Sequence, residues 1–255
     1  MNAFPELQGR VAFVSGAGHG IGRATARRLA AAGALVGVND LKAEFVQETL
    51  ALIAADGGQA VGVVQDVASR SGMNAALDQL MAASGARLDI MVNNAAWVRY
   101  QDLLEITPEV LDRMIEIGFK SVIWGMQAAA ERMADGQGGC IVNVASVAGL
   151  RSPRRAVIYS GIKAGVIGLT RAAAADLGPR GIRVNAVAPG AVPTEGTLKH
   201  RDPERDRQRV QRTPLGRLAQ VDDVAEAILT LASERSRFIT AQTLVIDGGM
   251  SQTSL

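Results

Sequence analysis

Val11-Ala12-Phe13-Val14-Ser15, running straight into Gly16-Ala17-Gly18-His19-Gly20-Ile21-Gly22, is the stretch that decides the fold. An apolar run of strand length feeds a turn in which every second residue is glycine. Beyond it Ile21, Ala24, Leu29 and Ala32 recur at helical spacing until Gly33 closes the segment. A strand, a bare turn and a helix in that order let backbone N–H groups at a helix N-terminus meet a pyrophosphate. A tight strand-to-helix turn also needs glycine on steric grounds alone, so the run by itself supports either reading.

The same alternation continues to the other end of the chain. Short β-branched runs at Leu35 to Asn39, Ala60 to Gln65, Leu88 to Asn93, Cys140 to Ala145, Arg183 to Ala188 and Thr243 to Ile246 predict further strands. Between them lie Ala-rich helical stretches. One runs from about Thr107 towards Ala134, opened by Thr107-Pro108-Glu109, and another from about Val157 to Leu177, stopped by Gly178-Pro179. Strands apolar on both faces that alternate with helices predict an α/β protein: one doubly wound domain over residues 1–255, its seven-stranded, mostly parallel sheet covered by helices on both faces. The 255 residues suit one such core, and neither a repeat nor a linker interrupts the pattern.

Composition narrows the classes of function. Lys plus Arg at 27 against Asp plus Glu at 25 leaves a net charge of +2, which gives no case for a nucleic-acid partner. A lone cysteine, Cys140, cannot form an internal disulfide and fits a reducing, cytoplasmic setting. The N-terminus lacks the basic and long apolar regions of a secretory signal, and no uncharged apolar stretch reaches membrane-spanning length. Two histidines and one cysteine are a poor ligand set, so no metal is expected.

Position strengthens the phosphate reading of the glycine turn. The second strand ends at Asn39-Asp40, and Asp40 follows Gly22 by 18 residues. A carboxylate there accepts hydrogen bonds from both hydroxyls of an adenosine ribose and repels a 2′-phosphate, which favours NAD over NADP. The alternative is that Asp40 caps the helix from Leu41 to Ala55.

With the spacing Gly16, Gly20, Gly22, and with the motifs that follow, the chain resembles the short-chain dehydrogenase/reductase family, in its branch of about 250 residues with a Tyr-x-x-x-Lys site. The resemblance runs from about Leu7 to Gly249. It implies a Rossmann fold and cofactor contacts from Gly16, Gly18, His19, Gly20, Ile21 and Gly22 in the turn, and from Asp40 and Leu41 after the second strand. Asp66 and Val67 would meet the adenine, and Asn93 and Ala95, in Asn93-Asn94-Ala95-Ala96, would border the cofactor and steady the sheet. The family usually has Gly where this chain has Ala96. Pro189, Gly190, Val192 and Thr194, in Pro189-Gly190-Ala191-Val192-Pro193-Thr194, would reach the nicotinamide carboxamide and pyrophosphate.

Tyr159 and Lys163 stand four residues apart on one predicted helix face, and Ser146, 13 residues before Tyr159, lies just past a strand at the sheet edge where such folds bind ligands. In the family resembled, Ser146 would hold the carbonyl or alcohol oxygen, Tyr159 would exchange the proton, and Lys163 would hold the nicotinamide ribose while favouring tyrosinate. Tyr159 and Lys163 therefore count among the cofactor contacts as well. Bringing a tyrosine from its ordinary pKa of about 10 to near 7 requires roughly 4 kcal/mol of preference for the anion. The implied activity is NAD-dependent interconversion of a secondary alcohol and a ketone.

One departure stands out. Many family members carry an Asn on the helix before Cys140 that positions a water beside the lysine. Ungapped alignment puts Gly118 there, inside the predicted Thr107 to Ala134 helix. This keeps open a dinucleotide-binding protein with little turnover. A second alternative is an NADP-linked 3-ketoacyl reductase, against which Asp40 argues by charge. A serine hydrolase is a poor reading, because Ser146 lies in no Gly-x-Ser-x-Gly elbow and neither histidine follows an elbow pattern.

The segment at about 191–215 corresponds to the family's substrate lid and is dense in charge of both signs, including Lys199-His200-Arg201-Asp202 and Glu204-Arg205-Asp206-Arg207. Trp97 and Tyr100 fall in the loop at the ligand edge, where Trp97 is a substrate contact or buried packing. Arg151 and Arg154, in Arg151-Ser152-Pro153-Arg154-Arg155, would attract a carboxylate or hydroxyl-rich substrate, or serve solvation or subunit contacts. Thr240 to Gly249 resembles the family's last strand, which commonly pairs between subunits and implies a homotetramer.

Overall fold

Residues 6–133, 138–198 and 202–253 are described by a computed structural model of the chain. Seven strands form one sheet in the order β3-β2-β1-β4-β5-β6-β7. They are β1 (Val11–Val14), β2 (Leu35–Asp40), β3 (Gln59–Val64), β4 (Ile90–Asn93), β5 (Gly139–Val144), β6 (Ile182–Pro189) and β7 (Thr243–Ile246). Every pairing is parallel, so the sheet is parallel throughout rather than mostly so.

Parallel strands must be joined by crossovers, and helices on the faces turn both sides of the strands into core. Period-two alternation divides that core cleanly. In β1, Val11 and Phe13 face α3 (Arg70–Ser84), α5 (Ser121–Arg132) and α6 (Val157–Leu177). Ala12 and Val14 face α1 (Gly20–Ala31), α2 (Ala43–Ala55) and α9 (Val221–Ala232). Complete burial of Phe13 stabilises this arrangement by about 1.5–3 kcal/mol.

The strand order reverses direction between β1 and β4, which opens a crevice at their carboxyl ends. The glycine turn after β1 and the Asn93 to Ala96 segment after β4 border it. Asn94 ties them together, its Nδ2 donating to Ser15 O at 2.9 Å and to Gly16 O at 3.0 Å. Ser15 Oγ accepts from the N–H groups of Asn94 at 3.0 Å and Ala95 at 3.1 Å.

The single helix expected from Thr107 towards Ala134 is instead broken into parts. α4 (Pro108–Ile115), capped by the Thr107 hydroxyl, passes into a π-helical turn at Glu116–Lys120 before α5 begins. A π turn displaces the i to i−4 pattern and leaves a carbonyl short of its partner. Ser121, just after the turn, donates from its Oγ to Ile117 O within it at 2.6 Å. Ala134 lies outside the described residues, as do Lys199, His200 and Arg201 of the charged stretch. That stretch otherwise contains α7 (Glu195–Leu198) and α8 (Pro203–Gln211). Among the described residues no helix is long and apolar enough to cross a membrane.

Candidate active site

At the carboxyl end of β1, backbone approaches backbone so closely that side chains have no room. A Cβ on Gly22 would lie 2.1 Å from Gly16 O, and one on Gly18 would lie 2.6 Å from an Asp40 carboxylate oxygen. Gly16 and Gly20 have φ of +62° and +56°, a left-handed conformation that favours glycine. The turn therefore presents bare backbone to the crevice. Its electrostatic preference is visible within the molecule: Gly20 N–H, at the start of α1, donates to the Glu195 carboxylate at 2.8 Å. A helix N-terminus that holds a carboxylate suits a phosphate.

Asp40 closes the far side of this cradle. One carboxylate oxygen accepts from Gly18 N at 3.1 Å and the other from Lys42 N at 3.3 Å. The carboxylate thus pins the glycine turn and steadies the chain entering α2, whose N-cap Lys42 offers no side-chain cap. Leu41 beside it is exposed. His19, the N-cap of α1, packs edge-on against Phe45 with ring centroids 5.6 Å apart, and Ile21 points into the core beneath.

After β3, Asp66 bends the chain towards α3, its carboxylate accepting from Ala68 N at 2.9 Å, while Val67 is buried. Asn93 turns away from the crevice into the interior and donates to Asn143 Oδ1 at 2.8 Å. Asn143 in turn donates to Thr170 on α6 at 3.0 Å, so Asn93 braces the sheet against that helix. At the end of β6, Gly190 N–H donates to Ile246 O at 2.9 Å, Val192 is half-buried, and the Thr194 side chain approaches the turn at Gly20.

Ser146 follows β5 and caps a short 3-10 turn (Val147–Gly149), with Oγ accepting from Ala148 N at 3.1 Å and donating to Pro189 O at 3.5 Å. Tyr159 and Lys163 rise from the first turns of α6 as the spacing requires, the Lys163 Nζ lying 5.8 Å from the Tyr159 ring centroid. Lys163 is buried and donates to Val144 O at 2.7 Å. Burial removes solvation from its ammonium and lowers its pKa to about 8. Burial likewise pushes Tyr159 up to about 12, with Tyr100 reinforcing the rise and a hydrogen bond with Ser146 opposing it. In the chain alone the tyrosine is therefore a neutral acid, far from the value near 7 that neutral-pH base chemistry demands.

Two aromatic side chains separate at the crevice mouth. Tyr100 packs edge-on against Tyr159 with centroids 5.8 Å apart. Trp97 packs against the core, and the Arg113 guanidinium lies 4.3 Å from its ring centroid. Arg151 and Arg154 are exposed and have no ion-pair partner among the described residues, whereas Arg155 pairs with Asp102 at 3.3 Å. Gly118 is buried in the π turn, where a Cβ would lie 3.3 Å from Ile162 Cγ2, on the residue preceding Lys163. Asn94 and Glu195 join the site without having been singled out as contacts by the motifs, and Tyr100 is at the ligand edge as its loop position implies. The repeated polar pair Asn93-Asn94 was a usable signal for Asn94; nothing local marks Glu195.

A parallel doubly wound sheet with a carboxylate-holding glycine turn at its switch point and a Ser, Tyr, Lys cluster at its carboxyl edge defines a dinucleotide-binding oxidoreductase of the Rossmann class. The chain belongs to the short-chain dehydrogenase/reductase family: residues 16–251 match a family model described as enoyl-(acyl carrier protein) reductase. It is 39% identical over 246 residues, 96% of this chain and 98% of the other, to the (2S)-[(R)-hydroxy(phenyl)methyl]succinyl-CoA dehydrogenase subunit BbsD of Thauera aromatica. Its fold matches that of a 7α-hydroxysteroid dehydrogenase complexed with NADH and 7-oxo glycochenodeoxycholic acid at a TM-score of 0.92, with 33% identity and coverage of 98% and 97% of the two chains. A structure from Agrobacterium tumefaciens with bound NADP, described as a candidate 2-deoxy-D-gluconate 3-dehydrogenase, matches at a TM-score of 0.87, 34% identity and coverage of 98% and 99%. The protein is thus an NAD(P)-dependent oxidoreductase.

Proposed function

We propose that this oxidoreductase prefers NAD and interconverts a secondary alcohol and a ketone, with Tyr159 as acid and base. The observation that carries the reading is the convergence of Ser146, Tyr159 and Lys163 at the carboxyl edge of the sheet that also carries the bare glycine turn. The dinucleotide, when bound, supplies the hydride acceptor or donor and, in its oxidised form, a positive nicotinamide. Ser146 Oγ hydrogen-bonds the substrate oxygen, Tyr159 takes or gives its proton, and Lys163 holds the nicotinamide ribose and lends positive charge to the tyrosine. Asp40 supports NAD because its carboxylate would face a 2′-phosphate. The 191–215 segment is read as the lid, and a cytoplasmic homotetramer as the working form.

The charge at the mouth favours an anionic substrate. On α8, Glu204 pairs with Arg207 and Asp206 with Arg209, whereas Arg205 has no carboxylate partner among the described residues. Burial raises the pKa of Tyr100, and the positive Arg205 and Arg209 oppose that rise, so the charge of α8 reaches the ring that touches Tyr159. The relative BbsD is named for a succinyl-CoA substrate, itself an anion. A panel of neutral and carboxylate-bearing secondary alcohols, run with NAD and with NADP, tests both parts. Oxidation of at least one alcohol is expected, with Arg205→Ala or Arg154→Ala losing about tenfold in kcat/KM on carboxylates and little on neutral alcohols. Equal losses on both classes would remove the anionic reading, and dinucleotide binding without any turnover would favour the low-turnover alternative.

Gly118 bears on that alternative. Gly118→Asn is expected to fold, because the new Cβ meets only Ile162, whose Cγ2 at 3.3 Å has to give by a few tenths of an ångström, and Asn improves on glycine in a helix by a few tenths of a kcal/mol. Turnover is expected to rise about two- to tenfold, with a shifted pH profile, as the new carboxamide joins the proton path near Lys163. An unchanged rate and pH profile would show that the position has no part in catalysis.

A further inference from the structure

Helix α1 has no acidic residue in its first turn, and its N-cap His19 makes no side-chain cap. Helix N-termini leave N–H groups without intrahelical partners, and here one of them is taken by a residue 175 positions later. Glu195 Oε2 accepts from Gly20 N at 2.8 Å, and Glu195 Oε1 lies 3.5 Å from Arg23 Nη1. Arg23 is itself anchored, with Nε donating to Gly18 O at 2.9 Å and Nη2 to Glu48 at 2.8 Å. The preceding residue is drawn in as well, since a Cβ on Gly20 would lie 3.1 Å from Thr194 Cγ2. Burial would raise the pKa of the Glu195 carboxyl, but backbone N–H groups, including that of Gly20, and the nearby Arg23 and His19 hold it below the ordinary range.

We infer that Glu195 is an internal occupant of the phosphate cradle: its carboxylate seats the 191–198 segment on the start of α1 and must withdraw before a dinucleotide pyrophosphate can use the same N–H. The inference rests on the dinucleotide reading above and adds a residue that sets cofactor affinity and couples it to the lid. Two negative groups cannot share one helix N-terminus without mutual repulsion, so the cofactor has to displace this contact. The contact stabilises the cofactor-free chain and opposes binding.

The two effects have opposite signs, which separates this role from a merely structural one. Calorimetric titration with ADP-ribose, which carries the pyrophosphate and no nicotinamide, gives a readout independent of turnover. Glu195→Ala is expected to bind it about three- to tenfold more tightly than the wild type, with a lower melting temperature in the absence of ligand. Glu195→Gln keeps an acceptor for Gly20 N–H and loses the charge, and it is expected to fall between the two. Unchanged or weaker binding in both variants would overturn the inference and leave the dinucleotide reading standing. Failure of all three proteins to bind ADP-ribose or NAD would overturn that reading and the inference with it.

Discussion

Replacement of Tyr159 by Phe is expected to lower kcat by about 10²- to 10⁴-fold while dinucleotide affinity stays within about threefold of wild type. The change removes one oxygen from a half-buried ring and leaves the packing against Tyr100 and Lys163 intact. What is lost is the group proposed to exchange the proton. With a pKa of about 12 in the chain alone, Tyr159 is ionised at pH 7 in only about one molecule in 10⁵, so its use as a base requires added positive charge. Lys163 at about 8 is roughly nine-tenths protonated at pH 7 and supplies part of it. Alcohol oxidation by the wild type is therefore expected to rise with pH as the proton leaves Tyr159, and the residual activity of the Phe variant is expected to be flat over the same range.

The chain has only two tyrosines, Tyr100 and Tyr159, and burial raises both. Phenolate absorbance in the cofactor-free protein is thus expected to appear at higher pH than that of an ordinary tyrosine. Addition of NAD should bring one of the two tyrosines to lower pH, and Tyr159→Phe should abolish that change. Retention of full turnover by the Phe variant would remove Tyr159 from the chemistry.

The second large effect is expected at Asp40. Asp40→Asn is expected to shift the ratio of NAD to NADP affinity about ten- to hundredfold towards NADP, because like charges about 5 Å apart repel by a few kcal/mol at a protein-surface dielectric. Asn keeps an oxygen for the N–H of Gly18, so the cradle geometry survives. Asp40→Ala removes that support as well and is expected to weaken both cofactors in addition to changing their ratio. Nearby cations are already engaged: Lys42 Nζ lies 5.0 Å from the Phe45 ring centroid, and Arg23 is tied to Gly18, Thr49 and Glu48. They lessen the repulsion without cancelling it. Affinities measured by titration need no substrate, and an unchanged ratio in both variants would show that Asp40 serves only the turn and the entry to α2.

Much of the site is local in the chain, and that part was legible. Tyr159 and Lys163 are one helical turn apart, Ser146 ends the strand before them, and the glycines of the turn are consecutive alternates in a single loop. Such spacings translate directly into geometry because helix and strand periods are invariant. The long helix before β5 reads as continuous through its middle, because a single glycine, Gly118, lowers helix propensity by about 1 kcal/mol without ending a helix. The π turn arises from a shift in backbone hydrogen bonding that side-chain periodicity does not record. The ionisation of Tyr159 and Lys163 escaped for another reason: desolvation depends on what covers a group, and most of that cover comes from distant segments.

Trp97 shows the same limit at one residue. Its place in a loop at the ligand edge was evident, but Arg113 from α4 covers it, and Tyr100 took the position against Tyr159. The sequence alone determined the order of strands and helices along the chain, the bare turn at Gly16 to Gly22, and the placement of Ser146 after a strand and of Tyr159 and Lys163 on one helix, because each rests on periodicity or on a steric need within a few residues. Tertiary structure alone decided that Glu195 sits on the N-terminus of α1, that Arg205 has no carboxylate partner among the described residues and acts on Tyr100, and that Asn93 turns inward to Asn143. Each of these joins segments far apart in the chain, and the electrostatics and packing that select them exist only once the sheet has brought its carboxyl ends together.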